Sequence, residues 1–349
     1  MSTTKIIEAD PEDPQIAINA AAELLAAGEI VALPTETVYG LAANALDENA
    51  VAKIFEAKDR PSYDPLIVHV AKPEDVHLVA EIPAEVEETI NKLMAEFWPG
   101  ALTFVLPKKD SVPDSVTAGL PTVAVRMSAH PVMRAICKKF GKPIAAPSAN
   151  LFGRISPTSA QAVLKELGGR IPAIIDGGAC LNGLESTIVK VQPGKKSKDE
   201  IVLLRSGPVT REMMLPFGKM VKPKVKRDAE GKADAKAQES PGMLDSHYSP
   251  VTPFKLLEKP EDFVAEEGKV YALLSHRGTS KAGYLHLHDW DTVEILSPGK
   301  GKLSEAAVRL FYCMRKLDEA GVDMIVAEPL SEVGIGVAIM DRLRRASEK

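Results

Sequence analysis

The chain has 349 residues, of which 45% are hydrophobic and 26% charged, the balance of an ordinary globular protein long enough for two packed domains. A formal net charge of −5 excludes a surface coated with basic residues for non-specific RNA binding and leaves room only for a local basic patch. Cys137, Cys180 and Cys313 lie far apart with no CxxC, which sets aside a disulfide framework and a structural zinc.

The opening MSTTKIIEADPEDP has neither the basic start nor the apolar stretch of a secretory signal. No apolar run approaches about 18 residues, so a cytoplasmic chain is expected. From Pro14 to Ala27 apolar residues recur at helical spacing, with Gly28 as the stop. EIVALP then reads as a buried strand closed by Pro34. The hydroxyls of TETVYG fall at or just past its end, where open α/β sheets bind ligands.

NAVAKIFEAK follows Asp47 as an N-cap, LIVHVA reads as a buried strand, and PAEVEETINKLMAEF opens with proline and acids as helices do. ALTFVL, TVAVRM, PIAAP, AIIDGG, STIVKV and IVLLR read as strands, with helix-like PVMRAICKKFG and TSAQAVLKELGG among them. Several apolar runs follow one another with no helix between, which predicts a mixed rather than purely parallel sheet in a first domain that closes near Phe217.

Residues 218–240 are rich in lysine, alanine and acids and poor in large apolar side chains, so they read as a linker. SPGMLDSHYSP, which follows, carries two adjacent ring side chains and is expected to dock on something. From Val251 onward come PFKLL, KVYALL, the alternating YLHLHDW, a helix over 304–320, DMIVAE and a final helix ending DRLRRASEK. That alternation predicts a small open α/β domain, giving boundaries of 1–217, 218–250 and 251–349.

In AKDRPSYDPLIVHV, Lys58 and Arg60 precede a proline turn and a strand carrying His69. Two cations on a loop suit phosphate or carboxylate, although taken alone the pair reads as a solvated loop and His69 as a satisfied core histidine. In PTVAVRMSAHP, Thr122 and Arg126 share one face of an extended strand. Arg126 is costly to bury unpaired; it reaches an edge or meets an anion, and a structural salt bridge or a ligand carboxylate would satisfy it equally well.

PIAAPSANLFGRISPTSA crowds Ser148, Asn150, Ser156 and Thr158 after an apolar strand. Such groups form an anion-binding nest with backbone N–H groups, and Thr158 or Ser156 would also cap the following helix. Glu185, Ser186 and Thr187 open STIVKV, and Arg205 stands just before a Ser-Gly-Pro turn. No GxxxxGK[ST], GxGxxG after a strand, GxSxG or HExxH occurs, and SPGKGKLS near Pro298 is a poor imitation of the first. P-loop, redox, triad-hydrolase and zinc-protease readings therefore lose support.

LPTETVYGLAANA, KDRPSYDPLIVHV, FWPGALTFVL, TVAVRM, APSAN, DGGACLNGLESTIV, LLRSG and SPGMLDSHYSP occur in that order, which closely resembles the threonylcarbamoyl-AMP synthase family in its longer form over nearly the whole chain. The resemblance implies a YrdC-like twisted mixed sheet with helices, a linker whose SPGMLDSHYSP segment covers a nucleotide, and a small Rossmann-like open α/β domain. It implies an L-threonylcarbamoyladenylate synthase, a nucleotidyltransferase. The substrates would be L-threonine, bicarbonate or carbon dioxide, and ATP with Mg²⁺; the products would be threonylcarbamoyl-AMP and pyrophosphate. No tightly bound cofactor is implied. The product would pass to a tRNA threonylcarbamoyl transferase for the tRNA threonylcarbamoyladenosine modification, with a transient tRNA contact and no membrane.

Carried onto matching positions, Thr35, His69, Arg126 and Ser186 would hold L-threonine, with Arg126 facing its carboxylate. Lys58 and Arg60 would be catalytic and, with Ser62, Thr122, Ala146, Ser148, Asn150, Ser156 and Arg205, would line the ATP site; Tyr248 would fold back over the nucleotide. No resident metal ligand is implied. Asp64, Ala101, Phe152 and Lys190 stand where the family commonly has asparagine, proline, serine and aspartate. Asp64 would add negative charge near the triphosphate. The alternative is a YrdC-like RNA-binding module without adenylate synthesis, against which the low net charge and the lack of aromatic stacking motifs weigh.

Overall fold

A computed structural model describes residues 3–195, 198–223, 247–279 and 283–348. The first lobe opens with β1 (Lys5–Glu8), α1 (Gln15–Ala26), β2 (Val31–Leu33), β3 (Gly40–Asn44), α2 (Glu48–Lys58) and β4 (Ile67–His69). It continues through α3 (Glu87–Phe97), β5 (Leu102–Pro107), α4 (Asp114–Thr117), β6 (Thr122–Arg126), α5 (Pro131–Phe140), β7 (Ile144–Ala145), α6 (Ala160–Leu167) and β8 (Ala173–Asp176). β9 (Thr187–Gln192), β10 (Glu200–Arg205), α7 (Arg211–Met214) and β11 (Lys219–Val221) complete it.

Local chemistry sets these boundaries. α2 starts where Asp47 Oδ1 accepts the N–H groups of Asn49 and Ala50 at 3.0 and 3.3 Å, and ends where Asp59 turns left-handed at φ 50°. Lys58 is therefore the last residue of this helix and buried, not one of two loop cations. α6 is capped by Ser159, whose Oγ accepts the Ala162 N–H at 3.3 Å, rather than by Ser156 or Thr158. Ser156 is turned inward instead, donating to Glu185 at 2.5 Å.

The strands make one mixed eleven-stranded sheet among the described residues, in the order β1-β8-β2-β3-β7-β4-β6-β5-β9-β10-β11. β4 and β6 are parallel with His69 opposite Arg126, while β7 beside β4 and β5 beside β6 are antiparallel. Neighbours that run in opposite directions share no carboxyl-terminal edge. Ile67 and His69 alternate onto the face that also carries Ala124 and Arg126, and this face offers a ligand surface in place of a crevice past the strand ends. β11 pairs parallel with β10, so the large sheet runs past the boundary read at Phe217.

The second lobe has β12 (Phe254–Leu256), β13 (Tyr271–Ser275), β14 (Thr292–Ile295), α8 (Leu303–Asp318), β15 (Met324–Ala327) and α9 (Gly336–Ser347). Its four strands are all parallel, in the order β12-β15-β13-β14. YLHLHDW is not a strand: Tyr284–His286 forms a 3₁₀ turn. The Phe263 ring stands 5.2 Å from Tyr271, 5.7 Å from His288 and 4.9 Å from Trp290, so the alternating rings fill an aromatic cluster rather than a ladder.

The two lobes share a core. Val38, Ile155 and Leu184 of the first pack in one buried cluster with Leu310, Phe311, Met314 and Ile339 of the second. Arg315 donates to Glu166 at 2.7 Å and Arg154 to Asp318 at 3.2 Å across the same seam. Residues 224–246, most of the expected linker and the SPGMLDS half of the docking segment, lie outside the described residues. Among the described residues no helix is long and apolar enough to cross a membrane.

Candidate active site

On the sheet face over β4 and β6 lies a cavity with about 50 Å³ of open space. Thr35, Thr37, Val38, Gly40, Arg60, Ile67, His69 and Arg126 line it, with Ala146, Pro147, Ser148, Glu185, Ser186, Arg205, His247 and Tyr248. His247 and Tyr248, which precede the second lobe, form part of its wall.

At one end stand the residues expected to meet an amino acid. Thr35 Oγ1 binds its own turn, donating to the Val38 carbonyl at 2.6 Å and accepting the N–H groups of Thr37 and Val38. Arg126 Nε donates to the Gly100 carbonyl at 3.2 Å, Nη1 to Thr37 Oγ1 at 2.9 Å, and Nη2 to the Glu36 carboxylate. Ser128 Oγ donates to the other Glu36 oxygen. Burial alone would raise the Glu36 pKa, but the Arg126 charge and the hydrogen bonds from Ser128 and Arg126 outweigh it and hold it at about 2. Burial and the Arg126 charge push His69 down to about 3, so its imidazole is neutral, and its buried Nδ1 has no hydrogen-bond partner. Ser186 Oγ lies 2.8 Å from Thr103 Oγ1, and the Arg205 Nη2 donates to the Ser186 carbonyl at 3.0 Å.

At the other end is a cationic cluster. Arg60 Nε and Nη2 donate to the carbonyls of Asp64 and Pro65 at 3.2 and 2.9 Å, which fixes the turn between α2 and β4. Its Nη2 also lies 2.9 Å from Asp64 Oδ2, yet neither Asp64 oxygen receives a well-directed hydrogen bond. Burial lifts the Asp64 pKa, against the pull of Arg60, Lys58 and Arg205. Lys58 Nζ donates to the backbone carbonyls of Ser148, at 2.6 Å, and Asn150. Burial and the neighbouring Arg60 push its pKa well down.

His247 sits in this cluster as a neutral ring, its pKa driven far down by burial and by Arg60, Lys58, Arg205 and Arg342. Phe152 meets it edge-on at 6.3 Å, so the departure from a small residue at that position is spent on packing the closing segment. Tyr248, 4.2 Å from His247 between ring centres, is raised to about 12 by burial and the Glu185 charge.

Of the expected site residues, the cavity wall collects Thr35, His69, Arg126, Ser186, Arg60, Ala146, Ser148, Arg205 and Tyr248. Lys58, Asn150 and Ser156 stand behind it: Lys58 and Asn150 shape the loop after β7, and Ser156 holds Glu185. Ser62 is exposed in its turn and Thr122 stands at the far end of β6; neither lines the cavity. Thr37, Glu185 and His247 also line the cavity, and Glu36 stands behind it, its carboxylate held by Arg126 and Ser128. Glu36 and Thr37 lie inside the hydroxyl-rich turn and His247 precedes Tyr248, so adjacency was the available signal.

Residues 23–207 match the Sua5/YciO/YrdC family model, described as telomere recombination, and residues 209–348 match the threonylcarbamoyl-AMP synthase C-terminal domain. The chain is 42% identical over 333 residues to the threonylcarbamoyl-AMP synthase of Pyrococcus abyssi, covering 95% of this chain and 94% of the relative. It is 41% identical over 347 residues to that of Bacillus subtilis, covering 97% and 95%. The crystal structure of P. abyssi Sua5 complexed with L-threonine aligns with a TM-score of 0.84 at 41% identity, over 99% of this chain and 98% of that one.

Proposed function

Because the chain belongs to the threonylcarbamoyl-AMP synthase family, we propose that it condenses L-threonine, bicarbonate or carbon dioxide, and ATP into threonylcarbamoyl-AMP and pyrophosphate. The product would supply the tRNA threonylcarbamoyladenosine modification through a separate transferase. The observation that carries this reading is one cavity that brings Arg126 and neutral His69 together with Arg60 and Arg205, with Tyr248 in its wall.

Threonine would lie over β4 and β6. Arg126 keeps N–H groups beyond those used on Gly100, Thr37 and Glu36, and these would take its carboxylate. Neutral His69 and Ser186 would bind its polar groups without adding a competing charge. The threonine amine would add to carbon dioxide and release a proton, giving a carbamate. A carbamate oxygen would then attack the α-phosphorus, and pyrophosphate would leave with the electrons of the broken P–O bond.

No protein nucleophile is required. The chain would contribute alignment of the two reactants and charge on the phosphate side from Arg60 and Arg205, with Lys58 holding the Ser148 loop that faces the phosphates. Asp64, fully buried beside Arg60, would temper the positive charge that meets the triphosphate, and the Mg²⁺ that accompanies ATP would lower the charge of the triphosphate itself.

The test is pyrophosphate release by the full chain with ATP, Mg²⁺ and bicarbonate, with L-threonine present, omitted or replaced by serine, while mass spectrometry follows the adenylate. Release that needs threonine and bicarbonate and yields threonylcarbamoyl-AMP is expected. A folded protein that binds RNA in a salt-sensitive way and never turns over ATP would overturn the reading.

A further inference from the structure

Arg342, on α9, is 0% exposed and carries a charge into the seam between the lobes. Its Nε donates to Glu185 Oε2 at 3.1 Å and its Nη1 to Asp341 Oδ2 at 2.8 Å. Nη2 is buried with no hydrogen-bond partner, and the guanidinium carbon lies 5.2 Å from the centre of the Tyr248 ring. The same ring stacks on Phe311 of α8 at 5.6 Å with 26° between planes. Two side chains of the second lobe thus grip a tyrosine that lines the cavity of the first.

Glu185 carries the contact onward. Its other oxygen accepts from Ser156, and it stands next to Ser186 in the cavity wall. Tyr248 itself has a φ of 62°, a left-handed conformation that a bulky residue keeps only where its surroundings hold it. A desolvated guanidinium over a ring is such a contact. The planar, permanently charged group of arginine suits it, and the compact ammonium of lysine does not.

We propose that Arg342 is a positioning residue of this enzyme: held by Glu185, it seats the Tyr248 ring over the nucleotide end of the cavity. The proposal rests on the reading of the cavity as an ATP and threonine site. An Arg342–Glu185 pair that merely joined the lobes would act on folding alone.

The full-length wild type and Arg342→Lys are compared first in the threonine-dependent pyrophosphate assay. Arg342→Lys keeps a charge opposite Glu185, so it remains testable where Arg342→Met fails to fold. Its KM for ATP should rise about tenfold, the scale of one desolvated cation–π contact, while its KM for threonine stays within about twofold of wild type. In a Tyr248→Ala background the same change should add no further rise, because the arginine acts through the ring. Equal rises in both KM values, or additive effects in the Tyr248→Ala background, would overturn the proposal. Should the wild type show no threonine-dependent release, the functional reading fails, and the seating is read from amide exchange at Ser249, whose N–H donates to the Gly153 carbonyl at 2.8 Å. Faster exchange in Arg342→Lys than in wild type supports the seating; equal exchange rejects it.

Discussion

Arg126, in the cavity wall, is ion-paired with Glu36 behind it, and their side chains are only 4% and 6% exposed. The arginine of an apolar strand has thus found an internal carboxylate while still facing the cavity. The structural salt bridge is present, and the guanidinium that makes it still lines the cavity where the proposed ligand carboxylate would lie.

Replacing Glu36 by Gln leaves Arg126 buried beside no counter-charge. A loss of roughly 3 kcal/mol in unfolding free energy is expected, the usual scale for breaking a buried pair from one side. Saturating L-threonine should then raise the melting midpoint of the variant more than that of wild type, since the ligand carboxylate restores the missing charge. Equal shifts in a thermal denaturation series would contradict this role for Arg126.

Stability should fall on acidification in two windows. His69 has a folded pKa of about 3 against 6.5, so the unfolded chain binds more protons between those values, and stability drops as pH falls below 6.5. Glu36, held at about 2 against 4.5, adds a second loss as pH falls below 4.5. His247, His130 and His276, also held below their usual range by burial, add to the upper window, so His69→Asn should make it shallower without removing it and leave the lower one. Urea unfolding midpoints across pH 3 to 8 measure both.

Asp64→Asn removes the carboxylate from the cationic cluster while keeping its shape. Metal-free ATP should bind about three- to tenfold more tightly, because a repelling charge is gone. Calorimetric ATP binding in EDTA measures this, and unchanged or weaker binding by a folded variant would contradict it.

Gly183 has φ 69°, and a Cβ there would lie 2.5 Å from the Ala307 carbonyl oxygen and from Val308 Cα of α8. Gly183→Ala should therefore cost about 2–4 kcal/mol through backbone strain and a pried-open lobe seam. The urea midpoint reads this, and a change under about 0.5 kcal/mol would mean that the seam yields freely.

The parts of the fold that rest on local signals were legible in the sequence. Asp47 as a cap, Gly28 as a stop and the apolar runs of β4, β6 and β13 all follow from chemistry within a few residues. YLHLHDW was misleading because alternation marks two-sided packing of any kind, and here the partner is Phe263, not a strand. Lys58 and Ser156 sat in the right motifs, but their side chains point to carbonyls and to Glu185, directions that depend on distant chain segments. Arg342 gave no signal at all: in DRLRRASEK it reads as the solvent face of a terminal helix, and only the docking of that helix buries it.

The core that joins Val38, Ile155 and Leu184 to Leu310, Phe311 and Ile339 makes each half of the chain a template for the other. A chimera spliced at the linker, taking one lobe from this chain and the other from a distant relative, would inherit two intact sheets and a mismatched seam. In this chain each half therefore constrains the other, and a substitution at the seam in one lobe calls for a matching one across it.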